Sequence, residues 1–180
     1  MVTSVLGSIL ALGCVVGCGE KTVTGPPGDN SSNGSFAAGT ITFWILPKWA
    51  GDTTSDIILV HVGGGDFENH VTVFKNGRYL RVLFADDRGD EAGGAADVSG
   101  WKPGDHHLIT GTWGDGVTSL YIDGVAVATQ DYAGTLVLGP NPPVFLGQGQ
   151  GPSSNIMNLE IYHRALTPEE VAALFTQPPG

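Results

Sequence analysis

Short runs of β-branched and aromatic residues, separated by turn-forming residues, recur along the chain after Ser35. Two of the separators are Asn76-Gly77 and Asp123-Gly124, and each lies between two such runs. Both dipeptides accept the positive φ angles of a type I′ turn, which joins neighbouring antiparallel strands. The pattern therefore predicts an all-β fold, a two-sheet antiparallel β-sandwich of the jelly-roll kind.

The positions of the strands follow from the same runs. The two hairpins are predicted to pair residues 71–75 with 78–84, and residues 117–122 with 125–129. Further strands are predicted over residues 40–46, 56–62, 107–113, 135–138, 144–146 and 156–163.

One short helix is predicted near the C-terminus, over Pro168–Phe175. Thr167 is suited to the N-cap, Pro168 to the first helical position, and Glu170 completes a Thr-x-x-Glu capping box. Leu166 and Val171 have the spacing of a hydrophobic staple. The acidic pair at the helix start is therefore explained by helix capping rather than by catalysis.

Composition limits the classes of fold and of partner. With 28 Gly and 11 Pro among 180 residues, a helical bundle is disfavoured, and the length suits one domain with short tails. Lys and Arg total 8 against 18 Asp and Glu, which gives a formal net charge of −10. Such a charge repels phosphate backbones, so no nucleic-acid partner is expected.

The first seventeen residues have the features of a secretion signal. They carry no charged side chain, and their apolar run is shorter than the roughly 20 residues that a membrane span needs. Val15-Val16-Gly17-Cys18 resembles the lipobox of bacterial lipoproteins, although no Lys or Arg precedes Lys21. The resemblance implies cleavage before Cys18 and lipidation of its thiol. It also implies export to the outer membrane or cell surface, with the lipid as the only membrane anchor.

Other interpretations of this N-terminus stay open: a conventional signal, a short buried helix carrying both Cys14 and Cys18, or an assembly arm. If residues 1–17 are removed and Cys18 is lipidated, no thiols remain for a disulfide or a metal site. Residues 18–35 are predicted to be a flexible tether because they contain too little apolar surface to fold. The globular domain is then residues 36–175, followed by a tail, 176–180.

Three segments of the domain resemble the laminin G-like jelly rolls of the concanavalin A-like lectin/glucanase superfamily. They are residues 41–47 (ITFWILP), residues 104–113 with 120–124 (GDHHLITGTW…LYIDG), and residues 159–171 (LEIYHRALTPEEV). The resemblance implies a two-sheet sandwich with the C-terminal helix packed on its edge. It implies no single function, because this superfamily includes glycan-binding, adhesive, hydrolytic and structural members. Met157 and Asn158 stand where the family often has acidic residues, which argues against that family's calcium site.

Catalytic patterns are missing from the sequence. A β-glucan hydrolase of this superfamily would carry E-x-D-x-x-E on one strand, and neither that spacing nor Gly-x-Ser-x-Gly occurs. His106 and His107 are adjacent, so on a strand they point to opposite faces and cannot both bind one metal ion. The family resemblance implies that His107 is the one that points inward. The chain is therefore predicted not to be an enzyme.

Two groups of residues are candidates for ligand binding. Residues 86–100 are read as a long acidic, Gly-rich loop, in which Asp86, Asp87, Asp90 and Glu91 are ligand-binding candidates. Asp86, Asp87 and Asp90 also form a candidate calcium site, although a plain solvated loop fits the same residues. Trp49 and Trp101 flank loops and could stack on a sugar ring, or could instead close the ends of the sandwich.

These observations predict a non-catalytic, surface-anchored recognition module that binds a glycan or a surface protein through the loop edge of the sandwich. Calcium is the one cofactor suggested, and the oligomeric state is left open. One alternative is a structural subunit of an extracellular filament, coat or virion, with residues 1–35 as its assembly arm. A glycan-cleaving enzyme is the remaining alternative, disfavoured by the missing carboxylate pattern.

Overall fold

A computed structural model of the chain describes residues 22–24, 34–64, 69–149 and 154–178. In this part of the chain, eleven strands form two sheets, and one helix follows them. The predicted all-β sandwich is thereby confirmed. Among the described residues, no helix is long and apolar enough to cross a membrane.

One sheet has six strands. Its spatial order is β1 (Thr22–Thr24), β11 (Ser154–Tyr162), β2 (Gly39–Pro47), β7 (His107–Gly114), β8 (Val117–Ile122) and β9 (Val125–Asp131). β1 pairs in parallel with β11, and every other pair in this sheet is antiparallel.

The other sheet has five strands, all antiparallel. Its order is β10 (Val144–Gly149), β3 (Ile57–Gly63), β4 (His70–Asn76), β5 (Tyr79–Ala85) and β6 (Glu91–Asp97). Thus β6 and β9 are each the last strand of their sheet, and they lie against each other along one side of the sandwich.

The core lies between the sheets and follows the period-two alternation of strands. Every second residue of β2, β4 and β5 points inward and is buried; these are Ile41, Phe43, Ile45, Val71, Val73, Leu80, Val82 and Phe84. Full burial of one such side chain contributes about 1.5–3 kcal/mol.

The hairpin turns agree with the sequence at one site and differ at the other. Asp123 and Gly124 have φ angles of 53° and 80°, which confirms the predicted type I′ turn. Asn76, however, pairs with Tyr79, so the two turn residues are Gly77 and Arg78. Only Gly77 has a positive φ, 56°, which is the pattern of a type II′ turn, and the type I′ prediction at residues 76–77 is wrong.

The segment 86–100 is not one long loop, contrary to the prediction. Residues 86–90 form a tight turn, and Glu91–Asp97 form β6. Its Gly and Ala residues have low strand propensity, which hid the strand from sequence reasoning. Residues 135–138, predicted as a strand, make only an isolated bridge between Leu138 and Phe36.

The predicted helix is confirmed as α1, Pro168–Phe175, with its capping box. It covers part of the outer face of the six-stranded sheet rather than only its edge. Leu166 and Val171 pack against Tyr121, and the Phe175 ring stacks on Trp44 with 5.8 Å between ring centroids. Trp44 is therefore buried under the helix and not in the space between the sheets.

Within the predicted tether, residues 22–24 form the short strand β1 beside residues 160–162, which the sequence did not predict. The predicted signal, residues 1–17, and Cys18 lie outside the described residues, as does most of the tether. The predictions on lipidation and on cleavage therefore stay predictions.

Candidate functional site

Trp49, proposed as a sugar platform, is buried. Only 2% of its surface is exposed, and it belongs to the main core. Its indole N–H donates to Ser154 Oγ at 2.8 Å, so the polar atom of the ring has a partner inside the protein. A buried ring cannot offer a face to a ligand, and Trp49 is therefore corrected from binding residue to end plug.

Trp101 belongs to the same plug. Its ring stacks on His107 with centroids 3.8 Å apart, and on Trp49 with centroids 6.0 Å apart. His107 is largely buried, as expected, and its Nδ1 lies 2.8 Å from Asp123 Oδ2 in the type I′ turn. The alternative interpretation, in which both tryptophans close one end of the sandwich, is the one that this packing supports.

Lys75 also faces this plug, although sequence reasoning did not single it out. It is fully buried, and its Nζ donates to Thr53 O at 2.5 Å, to Thr53 Oγ1 at 3.1 Å, and to Gly77 O. Burial lowers the pKa of this amine, while Asp56 and Asp52 act in the opposite direction. The signal was present in the sequence, since Lys75 continues the inward alternation of Val71 and Val73.

Asp86, at the other end of the sandwich, organises the predicted acidic loop. It is 2% exposed, and its Oδ1 accepts the backbone N–H groups of Arg88 and Asp90, both at 2.9 Å. Its Oδ2 accepts the N–H of Thr135 at 3.1 Å. Burial alone would raise the pKa of this carboxyl, but the three N–H donors outweigh burial and lower it.

The candidate calcium site is not assembled. Asp86 already uses both oxygens on backbone donors, while Asp87 and Asp90 are exposed. In the described ranges, no three Asp, Glu, His or Cys side chains come together in a way that could hold a metal ion. The hydroxyl of Tyr132 lies near these carboxylates. Its burial, together with the negative charges of Asp86, Asp90 and Asp87, raises its pKa to about 12.

A cleft of about 370 Å³ lies at the same end as this turn. Its described lining includes Gly63, Gly64, Asn69 and the residues 137–143, and Asn69 Oδ1 accepts the N–H of Val137 at 2.8 Å. The predicted loop edge therefore does carry a concavity. The described lining residues are mainly Gly, Pro and Asn, with no aromatic ring among them.

A second concavity, of about 290 Å³, lies on the outer face of the five-stranded sheet. We call it the trough; its described lining residues are Phe74, 81–83, 91–95 and Gln130. Large side chains of β4 and β5 form one side of the trough, where Phe74 is paired with Arg81 on the neighbouring strand. Across from them, β6 presents Gly93 and Ala95, with Glu91 and Asp97 further along the same face, so the depression lies where β6 lacks bulky side chains.

Tyr79 lies next to the trough, on the same face as Arg81 and two residues before it on β5. Its side chain is 40% exposed, and the Arg81 guanidinium carbon lies 5.6 Å from the centroid of its ring. Nearby, Arg78 forms an ion pair with Asp97. The hydrogen bonds that Arg78 and Ser99 donate hold the pKa of Asp97 well below its usual value.

Glu91 and Gln130 complete the trough. Glu91, an exposed residue that the sequence proposed for ligand binding, lies at the end opposite Tyr79. Gln130 reaches over from β9, and its Oε1 accepts the N–H of Gly93 at 3.1 Å. Sequence reasoning missed Tyr79, Arg81 and Gln130, because recognising their shared surface requires β6 to be a strand.

The fold and these segments match a known family. Residues 20–172 match the laminin G-type family model of the concanavalin A-like lectin/glucanases superfamily. The chain belongs to this superfamily. A search of the curated proteins finds no match to this chain.

Solved structures with the same fold include binding domains of botulinum neurotoxins. The serotype G binding domain superposes with a TM-score of 0.65 at 17% sequence identity, over 78% of this chain and 36% of that one. The serotype D ligand-binding domain, in complex with N-acetylneuraminic acid, gives 0.68 at 14% identity, over 82% and 38%. The DC binding domain, in complex with SialylT, gives 0.64 at 14%, over 78% and 35%. This superfamily member thus spans little more than a third of those chains, and the likeness concerns the fold.

Proposed function

We propose that this chain is a non-catalytic glycan-binding module and that its binding surface is the trough. The observation that carries the proposal is a concavity lined by three planar polar groups, Arg81, Glu91 and Gln130, with the exposed ring of Tyr79 next to Arg81 on the same face. Sugars are held in proteins by an aromatic face that packs on C–H groups and by planar side chains that bond hydroxyls.

Membership in a superfamily of lectins and glucanases supports this proposal. Two neurotoxin binding domains of the same fold are described in complex with N-acetylneuraminic acid and with SialylT. Those ligands belong to those proteins. For this chain they make a saccharide the first class of ligand to test.

The spacing of the carboxylates at the trough favours binding over hydrolysis. Glu91 and Asp97 lie six residues apart on β6, which is about 20 Å along an extended strand. The acid and the nucleophile or base of a glycosidase are about 5–10 Å apart. Asp97 is moreover bound to Arg78, so it is not placed to act on a bond held near Glu91.

Surface anchoring is part of the proposal. Lipidation of Cys18 would tie the domain to a membrane, with the lipid four residues before Thr22, where β1 joins the six-stranded sheet. Intact mass spectrometry of the protein purified from membranes tests this step directly. The expected mass begins at Cys18 and includes the acyl chains, whereas an unmodified chain beginning at Met1 would contradict it.

The trough is tested on a glycan array with the purified chain and two variants. Tyr79→Ala removes the proposed stacking ring and is expected to weaken binding at least about fivefold. Phe175→Ala is the matched control, because this ring is also 40% exposed but belongs to helix α1, over the outer face of the other sheet. Its binding should equal that of the parent protein.

A third variant, Asn141→Ala, separates the trough from the loop-end cleft, which lies at the same end of the sandwich as the 86–90 turn. If Asn141→Ala abolishes binding and Tyr79→Ala does not, the glycan binds at the loop edge and the trough is wrong. Repeating the array with EDTA tests the calcium expectation, and unchanged binding would remove calcium from the function. An array without any ligand would overturn glycan binding altogether.

A further inference from the structure

We propose that the glycan bound in the trough carries a carboxylate and that Arg81 is the residue that selects it. This inference rests on the proposed function and adds the chemical class of the ligand. It starts from the charge at the trough: Arg81 makes no ion pair with any residue that the structure describes.

The strand register explains why Arg81 lacks a carboxylate partner. On β4 it pairs with Phe74, and on β6 it pairs with Ala95, so neither direct neighbour can accept a hydrogen bond through its side chain. Glu91 pairs with Ala85, four residues further along β5, which is about 13 Å away. An ion pair between Arg81 and Glu91 is therefore out of reach.

Asp97 lies on the same face of β6, two residues from Ala95, but it is already engaged. Its Oδ2 accepts a hydrogen bond from Arg78, and its Oδ1 accepts the N–H of Ser99 at 2.9 Å. The nearby carboxylate is thus held by another arginine. Arg81 keeps its positive charge facing a concave surface on a chain whose formal net charge is −10.

The Arg81 guanidinium also has an N–H group without an acceptor among the described residues. This group, at Nε, is shielded from solvent, and the Tyr79 ring lies 5.6 Å from the central carbon of the guanidinium. A planar guanidinium matches the two oxygens of a carboxylate, and the resulting pair is stronger than a neutral hydrogen bond. A sugar carboxylate bound here would place the sugar ring beside Tyr79.

An acidic peptide is the competing ligand, and the edge of β6 argues against it. A peptide would gain affinity by pairing as a further strand with the free edge of the sheet. At the middle of the trough that edge is covered, because Gln130 already accepts the N–H of Gly93. A saccharide needs no strand pairing, and so it fits this surface better.

The experiment compares acidic saccharides with their own methyl esters. Trigalacturonic acid and sialyllactose, each with and without esterification, are titrated into the full chain by isothermal calorimetry. At least one free acid is expected to bind about tenfold or more tightly than its ester. Arg81→Gln should abolish this preference, and Arg81→Lys should keep part of it. Arg88→Gln, an exposed arginine in the 86–90 turn, is the matched control and should keep all of it.

Each alternative outcome has a defined meaning. If both esters bind as well as the acids, or if Arg81→Gln keeps the preference, the carboxylate proposal is wrong. If triglutamate displaces the saccharide from the Arg81 site with equal affinity, recognition is not of a sugar and the proposal is also wrong. Should neutral glycans bind on the array while acids gain nothing, the proposed function survives without this inference. A variant that melts at the parent temperature excludes misfolding as the cause of lost binding.

Discussion

At the scale of single residues, Asp86 shows how one buried carboxylate can order a loop. It joins the 86–90 turn to the segment at Thr135 through three backbone N–H groups. Replacing it by Asn turns one acceptor into a donor that faces N–H groups. We expect Asp86→Asn to lower the free energy of unfolding by about 1–3 kcal/mol in chemical denaturation at pH 7. Asp87→Asn, an exposed neighbour, should change it by less than about 0.5 kcal/mol.

The same carboxylate predicts how the free energy of unfolding changes with pH. Because its pKa is lowered in the folded state, Asp86 stabilises the fold fully above the unfolded carboxyl pKa of about 3.9. That contribution is lost as the pH falls through the lower, folded value. The stability difference between the parent and Asp86→Asn should therefore be constant from pH 5 to 7 and shrink below about pH 4. A difference that grows in acid would contradict this assignment.

A substitution at Trp49 tests whether this ring contributes to stability or to glycan binding. Trp49→Phe loses the hydrogen bond to Ser154 and leaves part of a buried space empty. We expect the free energy of unfolding to fall by about 1–3 kcal/mol, with glycan affinity unchanged within about twofold. Denaturation and array binding, measured on the same preparation, check both parts. Lost affinity at unchanged stability would restore Trp49 as a sugar platform.

At the scale of elements, β6 explains why the candidate site could not be found from the sequence. Hydrophobic alternation and turn dipeptides identify strands that have large side chains, and β2, β4 and β7 were predicted closely for that reason. β6 (Glu91–Asp97) consists of Gly, Ala and acidic residues, and it packs closely against β9 of the other sheet. Such packing brings together segments that are far apart in the sequence, and the local sequence pattern of one strand does not predict it.

Gly94 gives this packing a test. A Cβ on Gly94 would lie 2.6 Å from the Cβ of Ala128 in β9 and 3.3 Å from that of Leu120. We expect Gly94→Ala to cost about 1–3 kcal/mol of stability in thermal or urea unfolding, because the sheets must move apart. Adding Ala128→Gly should recover part of that loss, a coupling that a double-mutant cycle measures.

Gly100→Ala is the control for this pair, since a Cβ at Gly100 would meet nothing within 4 Å. Its stability should match that of the parent within about 0.5 kcal/mol. If Gly94→Ala and Gly100→Ala prove equally mild, β6 and β9 are not in close contact.

Helix α1 is the element that local sequence describes best, because its cap is made by adjacent residues. Thr167 Oγ1 accepts the N–H of Glu170 at 3.3 Å, and Glu170 accepts two hydrogen bonds from Arg164, both at 2.7 Å. We expect Thr167→Ala to lower stability by about 1 kcal/mol, and Thr167→Ser to leave it nearly unchanged. Urea unfolding of both variants checks this.

The cap has its own acid dependence. Arg164, together with the N–H of Thr167, lowers the pKa of Glu170 to about 2. Its stabilising contribution is therefore complete above the unfolded pKa of about 4.3 and is lost as the pH falls towards 2. Glu170→Gln should accordingly weaken the fold at pH 6 but leave it nearly unchanged at pH 2, whereas equal losses at both values would exclude the ion pair.

At the scale of the whole molecule, aromatic rings close both ends of the sandwich. Trp49, Trp101 and His107 fill one end, and at the other Phe36 stacks on His163 with ring centroids 4.1 Å apart. Rings used as plugs are not available to ligands. Among the described residues that line the loop-end cleft there is accordingly no aromatic ring, whereas Tyr79 on the open sheet face is 40% exposed.

The proposed membrane attachment of the whole molecule depends on Cys18. If Cys18 is lipidated, each acyl methylene buried in the bilayer contributes about 0.8 kcal/mol, so two or more chains hold the protein stably. Replacing the thiol by Cys18→Ser removes the acceptor of the lipid without touching the domain at residues 36–175. We expect this variant, expressed in a bacterium, to move from the membrane pellet to the soluble fraction with its glycan affinity unchanged. Cys14→Ser, in the predicted signal, is the matched control and should stay in the pellet. Membrane attachment that survives Cys18→Ser would show that the N-terminus works in another way, such as an assembly arm.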